Sequence, residues 1–512
     1  MKIFNFRPFL IIAIAIISAI LLCVFVVESQ ITRFFIFLFA ALGFLILLIT
    51  YFIKKKKFLL FISLISLFIA IPFLLIIVEN SKLEKLKSFE NIECEFIGKI
   101  DEHYKITQND YLKLVVDDVE IKKGEIVYKI DWKIEIYTNP DYFDLASLEI
   151  GRFIYAKTSL DFNFISSNDK WEMFNISKDV VATGFCEYQN IIIYDEKDFE
   201  LSHFIKNKVL TTLEKTEMSN YQIAYAMIFG DTGVIDGNIK DIYQNTGIAH
   251  LLAVSGLHVS AIVFVLTFLL KKMKVSHKTQ LLIISIFLLF YAYVCNFSIS
   301  IIRAGLMAII LNYSYIRGKP YDILSVLAMI ASFILLFDPL QLFNISFILS
   351  FLAVLSIILL ADIFDIFFDK IFYSKFAKTL SVLFGIQLGL SITTIFYFES
   401  INLLGFLANL LSIPIATLSF ILILIFMVFA MISPIFYPIC RGIGGLFEFI
   451  TKFNGTIDSF GVSIFIGEIS SIFIFVSLLL FFFMSKYCFF NKKIKGVLGV
   501  VCAIAYALVF FI

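Results

Sequence analysis

The chain alternates between long apolar runs and one extended polar stretch. Residues 9–27, 34–53 and 58–78 are nearly continuous apolar runs. Each has the roughly 20 residues that a helix needs to cross a bilayer. From about 92 to 195 the pattern changes to period two. Ile126, Tyr128, Ile130, Trp132, Ile134 and Ile136 alternate with Val127, Lys129, Asp131, Lys133 and Glu135, which is the signature of a half-buried strand. Shorter runs of this kind fall at 92–100, 111–119, 150–157, 180–186 and 191–194, separated by turn residues such as Asn139-Pro140-Asp141. Several short strands in so short a segment predict a small antiparallel barrel or sandwich, an OB-type barrel being one form of it. Apolar runs resume at 248–270, 279–297, 299–316, 322–337, 342–361, 379–397, 401–432 and 496–512. Pro414 falls near the middle of 401–432 and predicts a discontinuous helix there. The expected fold is a polytopic α-helical membrane protein of about 11 spans, carrying one small external antiparallel β-barrel (OB-like) domain.

Composition agrees with this pattern. The 512 residues are 60% hydrophobic and 16% charged, against roughly half apolar and a quarter charged for a soluble domain. A water-soluble fold is therefore excluded. Basic residues set the orientation through the positive-inside rule. Lys54, Lys55, Lys56 and Lys57 lie between the second and third runs, which puts them and the N-terminus in the cytoplasm and residues 80–205 outside. The basic clusters Lys271 to Lys278, Arg317 with Lys319, Lys370 to Lys378, and Lys486 to Lys495 then all fall inside. The first run is not read as a signal peptide, because it lacks a small-residue cleavage site and two more spans follow it. Four regions result: N-terminal transmembrane helices over 1–79, the external OB-like domain over 80–205, an amphipathic glycine-containing segment over 206–247 at the outer face, and a transmembrane core over 248–512.

Residues 79–205 hold 26 Asp and Glu against 15 Lys and Arg. That acidity opposes simple electrostatic capture of nucleic acid. The seven cysteines are scattered singly with no C-x-x-C pair, which excludes a zinc ribbon or thioredoxin-like motif. Cys94 and Cys186 both lie in the external segment. They are read either as a disulfide, which an oxidising compartment permits, or as two buried thiols.

The segment 220–260 carries the densest polar chemistry next to a span. Gly247, His250, Ser255, Gly256, His258 and Ser260 crowd the outer end of the 248–270 run. Polar groups at such depth face a partner helix or a cavity. His250 and His258 stand eight residues apart without a carboxylate beside them, whereas a zinc pair on a helix wants i, i+4 spacing; no metal site is expected. Ser255 lies outside any G-x-S-x-G, and no strand precedes it, so a hydrolase is not expected either. Arg303 is read as a side chain snorkelling to the interface or as a fixed cation along a phosphate path. Asp338-Pro339 marks a helix stop. Asn409 with Pro414 suggests an unwound segment lining a cavity or a packing kink. No Walker A motif is present. No cofactor and no enzymatic activity are expected.

The run HLLAVSGLHVS (250–260), with the preceding Gly230-Asp231 and Thr246-Gly247, closely resembles the signature of ComEC-type competence proteins. The likeness continues at Ile302-Arg303-Ala304 through Met307, at Asp338-Pro339 followed by Leu349-Ser350-Phe351, and at Gln387 and Asn409 to Pro414. Ser346 and Ile348 depart from the family's Gly and Gln, so no pore role carries over to 348. The zinc cluster of the metallo-β-lactamase-like domain found in many members is absent from this sequence. The resemblance implies an inner-membrane channel for single-stranded DNA in natural transformation. It also implies an external DNA receptor and a cytoplasmic ATPase or strand-binding protein as partners. A membrane-embedded enzyme, a small-solute transporter or a non-transporting homologue is the rival reading. Membrane lipid is the expected solvent for the core.

Overall fold

Three N-terminal apolar runs form α1 (Pro8–Leu21), α2 (Gln30–Lys54) and α3 (Lys57–Leu86). The architecture is that of a computed structural model. It describes residues 7–482 except 28, 91, 108–109, 124–125, 144–147, 166–168, 319–321, 370–373, 403, 462 and 466–479. Pro8 opens α1 where its missing N–H costs nothing. α3 has 30 residues, about 45 Å at 1.5 Å per residue. It outruns the apolar stretch 58–78, and its last turns carry Glu79 and Lys82 up to the strands that follow.

Those strands are β1 (Glu93–Ile100), β2 (Lys105–Ile106), β3 (Leu112–Lys123), β4 (Ile126–Ile130), β5 (Lys133–Thr138), β6 (Arg152–Phe162), β7 (Val180–Phe185) and β8 (Ile191–Lys197), with the short helix α4 (Lys170–Ile176) before β7. The pairings β1–β3, β3–β5, β5–β7, β7–β6 and β6–β1 link five strands in a ring, in which only β5–β7 is parallel. Alternate residues point inward, including Cys94 and Phe96 of β1 and Ile154, Ala156 and Leu160 of β6. The single strand expected over 126–136 is two: β4 and β5 pair in succession with the long β3. The break falls at Asp131-Trp132, which frees the Trp132 Nε1–H to donate to Glu79 Oε1 at 3.0 Å.

The disulfide reading fails. Cys94 and Cys186 are both buried thiols outside any disulfide. Cys94 lies on β1, on one edge of β6, whereas Cys186 follows β7, on the other edge. With β6 between them they stand two strand spacings apart, about 9–10 Å, beyond the roughly 7 Å that a bridge allows. Each thiol instead donates to a β6 carbonyl, Thr158 and Lys157 respectively.

Helices α5 (Leu201–Lys215), α6 (Tyr221–Phe229), α7 (Gly237–Asn245), α8 (Gly256–Lys272), α9 (His277–Val294), α10 (Ile299–Arg317), α11 (Ile323–Phe337), α12 (Ile345–Phe368), α13 (Ser374–Phe398), α14 (Gly405–Ile432) and α15 (Tyr437–Ser459) complete the order, with short strands β9 (Ser400–Asn402) and β10 (Ser463–Phe465) paired across the last turns. Among the described residues seven helices are long and apolar enough to cross a membrane: α1 with its extension, α2, α3, α9, α10, α12 and α14. α11 is a shorter apolar helix. The chain is therefore a helical membrane protein with a sheet domain. Of the expected spans, the one over 248–270 is shortened, since α8 begins only at Gly256. The run 496–512, the basic turn 486–495, Lys319 and Lys370 lie outside the described residues.

Polar contacts show which helix ends share a side. Ser177, just after α4, accepts from Gln341 Nε2 (3.1 Å) and Asn344 Nδ2 (3.4 Å), beyond the end of α11. Lys170 pairs with Glu399 at 3.1 Å, beyond α13. Lys206 of α5 donates to Asn296, beyond α9, at 3.3 Å. The first two turns face the sheet domain, and the third faces α5, the helix that leads out of it. At the opposite end Arg7 pairs with Asp322 at 2.7 Å, joining the starts of α1 and α11.

The discontinuity expected at Pro414 is not there. α14 is one helix of 28 residues with Pro414 inside it. A proline is tolerated in a membrane helix when neighbours satisfy the freed backbone groups. Pro414 withholds a donor from the Leu410 carbonyl alone, the helix continues on both sides of it, and Asn454 of α15 holds Ser412 Oγ at 2.8 Å.

Candidate functional site

The polar segment 246–260 connects α7 to α8. Asp236 caps α7 by accepting from the Asn238 N–H. The chain reverses at Gly247, whose φ of +74° lies in the left-handed region that glycine occupies without a Cβ penalty. A single 3-10 turn over Ala249–Leu251 follows. Gly247 and His250 are exposed.

α8 starts on a reciprocal cap. Ser255 Oγ accepts from the His258 N–H at 3.4 Å, and His258 Nδ1 accepts from the Ser255 N–H at 3.2 Å. That bond puts the ring proton on Nε2, which is buried without a hydrogen-bond partner. The His258 side chain is fully buried, its ring 4.5 Å from that of Phe420 on α14. Ser260 is exposed and bonds back to the Gly256 carbonyl at 2.7 Å. The stretch thus divides into a buried capping pair and an exposed face of Gly247, His250 and Ser260.

Three motifs far apart in sequence meet beside this cap. Arg303 of α10 is 6% exposed. It donates from Nε to Ser350 Oγ of α12 at 2.7 Å and from Nη1 toward Met307 Sδ at 3.7 Å. Its guanidinium also lies 5.9 Å from the Phe351 ring centroid. Its Nη2 lies over Gly256, where a Cβ would overlap it. Gly256, Arg303 and Ser350 therefore form one constellation. Among the described residues no carboxylate pairs with Arg303. The cation stands instead at the first turn of α8, whose free N–H groups add positive potential. The snorkelling reading does not hold, since the guanidinium is bound inward. Ile348, on the same helix as Ser350, is half-buried against the apolar core.

A second cluster sits at the N-terminal end of α14. Asn409 Nδ2 donates to Gln387 Oε1 at 3.4 Å, and a Cβ on Gly405 would lie 3.3 Å from the Thr246 carbonyl and 3.6 Å from Gln387. Asp338 belongs to neither cluster. It caps the turn after α11, accepting from the Leu340 N–H (3.0 Å) and Gln341 Nε2 (2.6 Å). It also lines a cavity of about 260 Å³ with Glu79, Lys82, Trp132 and Asp179. Burial, then the Asp338 charge, pushes the Asp179 carboxyl up to about 6.

Sequence reasoning missed how the sheet domain grips the core. His103, between β1 and β2, approaches Tyr225 Oη (3.2 Å) and Asp231 (3.9 Å) and packs against Gly233. The Gly230-Asp231 pair was visible in the sequence, but no pattern in the strands points to His103 as its counterpart.

The sequence model of a family described as Competence protein matches residues 227–490, which covers α8, α10, α12 and α14 and therefore both clusters. Recombination protein 2 of Haemophilus influenzae is 28% identical over 245 residues, 45% of this chain and 31% of that protein. ComE operon protein 3 of Bacillus subtilis is 29% identical over 199 residues, 38% of this chain and 24% of that protein. An uncharacterized protein of Aquifex aeolicus is 31% identical over 145 residues, 28% of this chain and 34% of that one. The matched regions span a quarter to a third of these relatives' lengths. No solved structure matches the chain. With the family model covering more than half of the sequence and containing the residues that meet around Arg303, the chain belongs to the competence protein family.

Proposed function

We propose that this protein is the channel through which single-stranded DNA crosses the cytoplasmic membrane during natural transformation. The observation that carries the reading is Arg303: a buried guanidinium, without a carboxylate, at a helix N-terminus, where three motifs of the family meet. A buried cation is costly unless an anion compensates it. The strand brings one phosphate per nucleotide, and a guanidinium binds phosphate through parallel hydrogen bonds. Arg303 is then a station where a passing phosphate is briefly held. The exposed Gly247, His250 and Ser260 line the approach to it.

In this reading the N-terminus is cytoplasmic, residues 80–205 lie outside, and the ring of strands is an OB-type barrel docked over the entrance. The acidity of that domain assigns first capture of DNA to a separate external receptor. With no Walker A motif in the sequence, a cytoplasmic ATPase or strand-binding protein, or proton coupling, supplies the drive. The protein performs no catalytic step in this scheme.

The test is deletion of the gene in a transformable host, complemented by wild type, Arg303→Lys or Arg303→Ala, with labelled DNA followed into the cytoplasm. Deletion is expected to abolish entry. Arg303→Ala should lower it at normal membrane abundance, and Arg303→Lys, which keeps the charge but not the planar fork, should fall between. Normal entry in the deletion strain overturns the reading.

A further inference from the structure

α15 runs antiparallel to α14. The two are joined by the short link Ser433–Phe436, and their far ends are tied by the buried Asn454–Ser412 bond. Cys440, Ile443, Phe447, Ile450, Asn454 and Ile457 are the buried stripe of α15. On the opposite side of the helix lie Arg441, Gly445, Glu448, Lys452 and Thr456, recurring every three or four residues along its whole length.

This outer stripe is charged and open. Lys452 pairs with Glu448 at 2.6 Å, with the two side chains 76% and 40% exposed. Arg441 pairs with Glu217, at the corner between α5 and α6, and these are 57% and 75% exposed. Among the described residues nothing lies within 4 Å of where a Cβ on Gly445 would stand. The Asn454–Ser412 contact sets the depth. Glu448 lies six residues along α15 from Asn454, so it is about 20 Å from either end of α14 at 1.5 Å per residue. A bilayer's hydrocarbon core is about 30 Å thick, which places the Glu448–Lys452 pair well inside it.

Ionised groups at that depth face a partner, the bundle interior or water, but not lipid. The bundle interior is on the other side of α15. Snorkelling is excluded as well. Lys452 is nearer the Gly405 end of α14 than Glu448 is, yet its ammonium turns back toward Glu448 and the middle of the membrane. Helices that face lipid expose apolar side chains with no ion pair among them: α2 exposes Phe39 and Phe52, and α9 exposes Ile286 and Leu289, whereas α15 exposes Phe449 at the flank of its Glu448–Lys452 pair. The charges of the stripe alternate in sign and nearly cancel, so it holds water without concentrating either cations or phosphate.

We propose that the outer face of α15, with the α5–α6 corner beside it, is wetted through the depth of the membrane and forms the wall of a water-filled crevice. This inference rests on the membrane position of α14 and not on what the protein transports.

The test uses the full-length protein in sealed membranes, with native cysteines replaced and single cysteines introduced as Gly445→Cys, Thr456→Cys and, as a lipid-facing control at similar depth, Leu418→Cys (52% exposed on α14). The probe is a membrane-impermeant cationic methanethiosulfonate, which reacts with thiolate and so needs water at the site. Gly445→Cys is expected to react at least about tenfold faster than Leu418→Cys, because the thiolate forms only where it is hydrated. Equal, slow rates at both positions overturn the proposal. Slow labelling together with oxidative cross-linking between two copies at Gly445→Cys overturns it too, in favour of a protein interface. Thr456→Cys serves as a second reporter should Gly445→Cys fail to reach the membrane.

Discussion

Gly256 and Arg303 make a prediction that isolates their contact. Replacing Gly256 with Ala places a methyl where Arg303 Nη2 lies, with Cζ and the Ala304 methyl both 3.6 Å away. The guanidinium has little room to retreat, since its Nε is held by Ser350 at 2.7 Å and its other flank by Phe351. Escape means giving up the Ser350 bond, and a hydrogen bond to a charged group contributes about 1.5–3 kcal/mol. Tolerating the overlap instead costs about 1–3 kcal/mol of overpacking. Either route gives a loss of about 2 kcal/mol for Gly256→Ala. With Arg303→Ala already present the methyl meets the Ala304 methyl at an ordinary contact distance of 3.6 Å, and the same substitution should cost less than about 0.5 kcal/mol. The assay is a double-mutant cycle on purified protein, unfolded by increasing SDS in mixed micelles, with DNA entry measured in parallel. Costs that simply add, within about 0.5 kcal/mol, would refute the argument that Gly256 is required by the guanidinium.

Other consequences follow from the same contacts. His203 of α5 is 3% exposed, and burial holds its imidazole below the usual range despite Glu200 and Asp101 beside it, with Lys206 and Lys99 acting in the same direction as burial. A histidine whose folded pKa is depressed stabilises the fold above the unfolded value near 6.5 and loses that contribution as pH falls through it. Unfolding followed by tryptophan fluorescence should therefore show falling stability from pH 7 to 5, with a shallower slope in His203→Gln; an unchanged slope counts against it. Asn454→Ala should destabilise the α14–α15 pair by about 0.5–1.5 kcal/mol, the range of interhelical hydrogen bonds in membranes, and a change near zero in the SDS assay would show that the bond to Ser412 is not formed. Cys94 and Cys186 should both be alkylated on denaturation without reductant, read as two added masses on peptides of the sheet domain; a mass for a bridged pair would contradict the placement of the two thiols on opposite edges of β6.

Much of this protein is determined locally. An apolar run of membrane length is a helix because lipid offers its backbone no other partner, so α1, α2, α3, α9, α10, α12 and α14 are legible residue by residue. Period-two alternation marks the strands for the same local reason, since one face of each is buried. The residues of the Arg303 site were also legible, as three separate polar interruptions of apolar runs.

What depends on position in space was not. Whether Cys94 and Cys186 bridge depends on which edges of β6 their strands occupy, and no spacing in the chain encodes that. Pro414 reads as a break when only its missing N–H is considered, but one lost backbone bond does not end a helix of 28 residues packed along α15. Arg303 reads equally as snorkelling or fixed until Ser350 and Gly256 arrive from other helices to hold it. His103 has meaning only once the sheet domain is docked on Asp231. A sequence sets what each segment must bury, whereas the choice of partner is made by packing between segments, where distances of a few ångströms separate a contact from none.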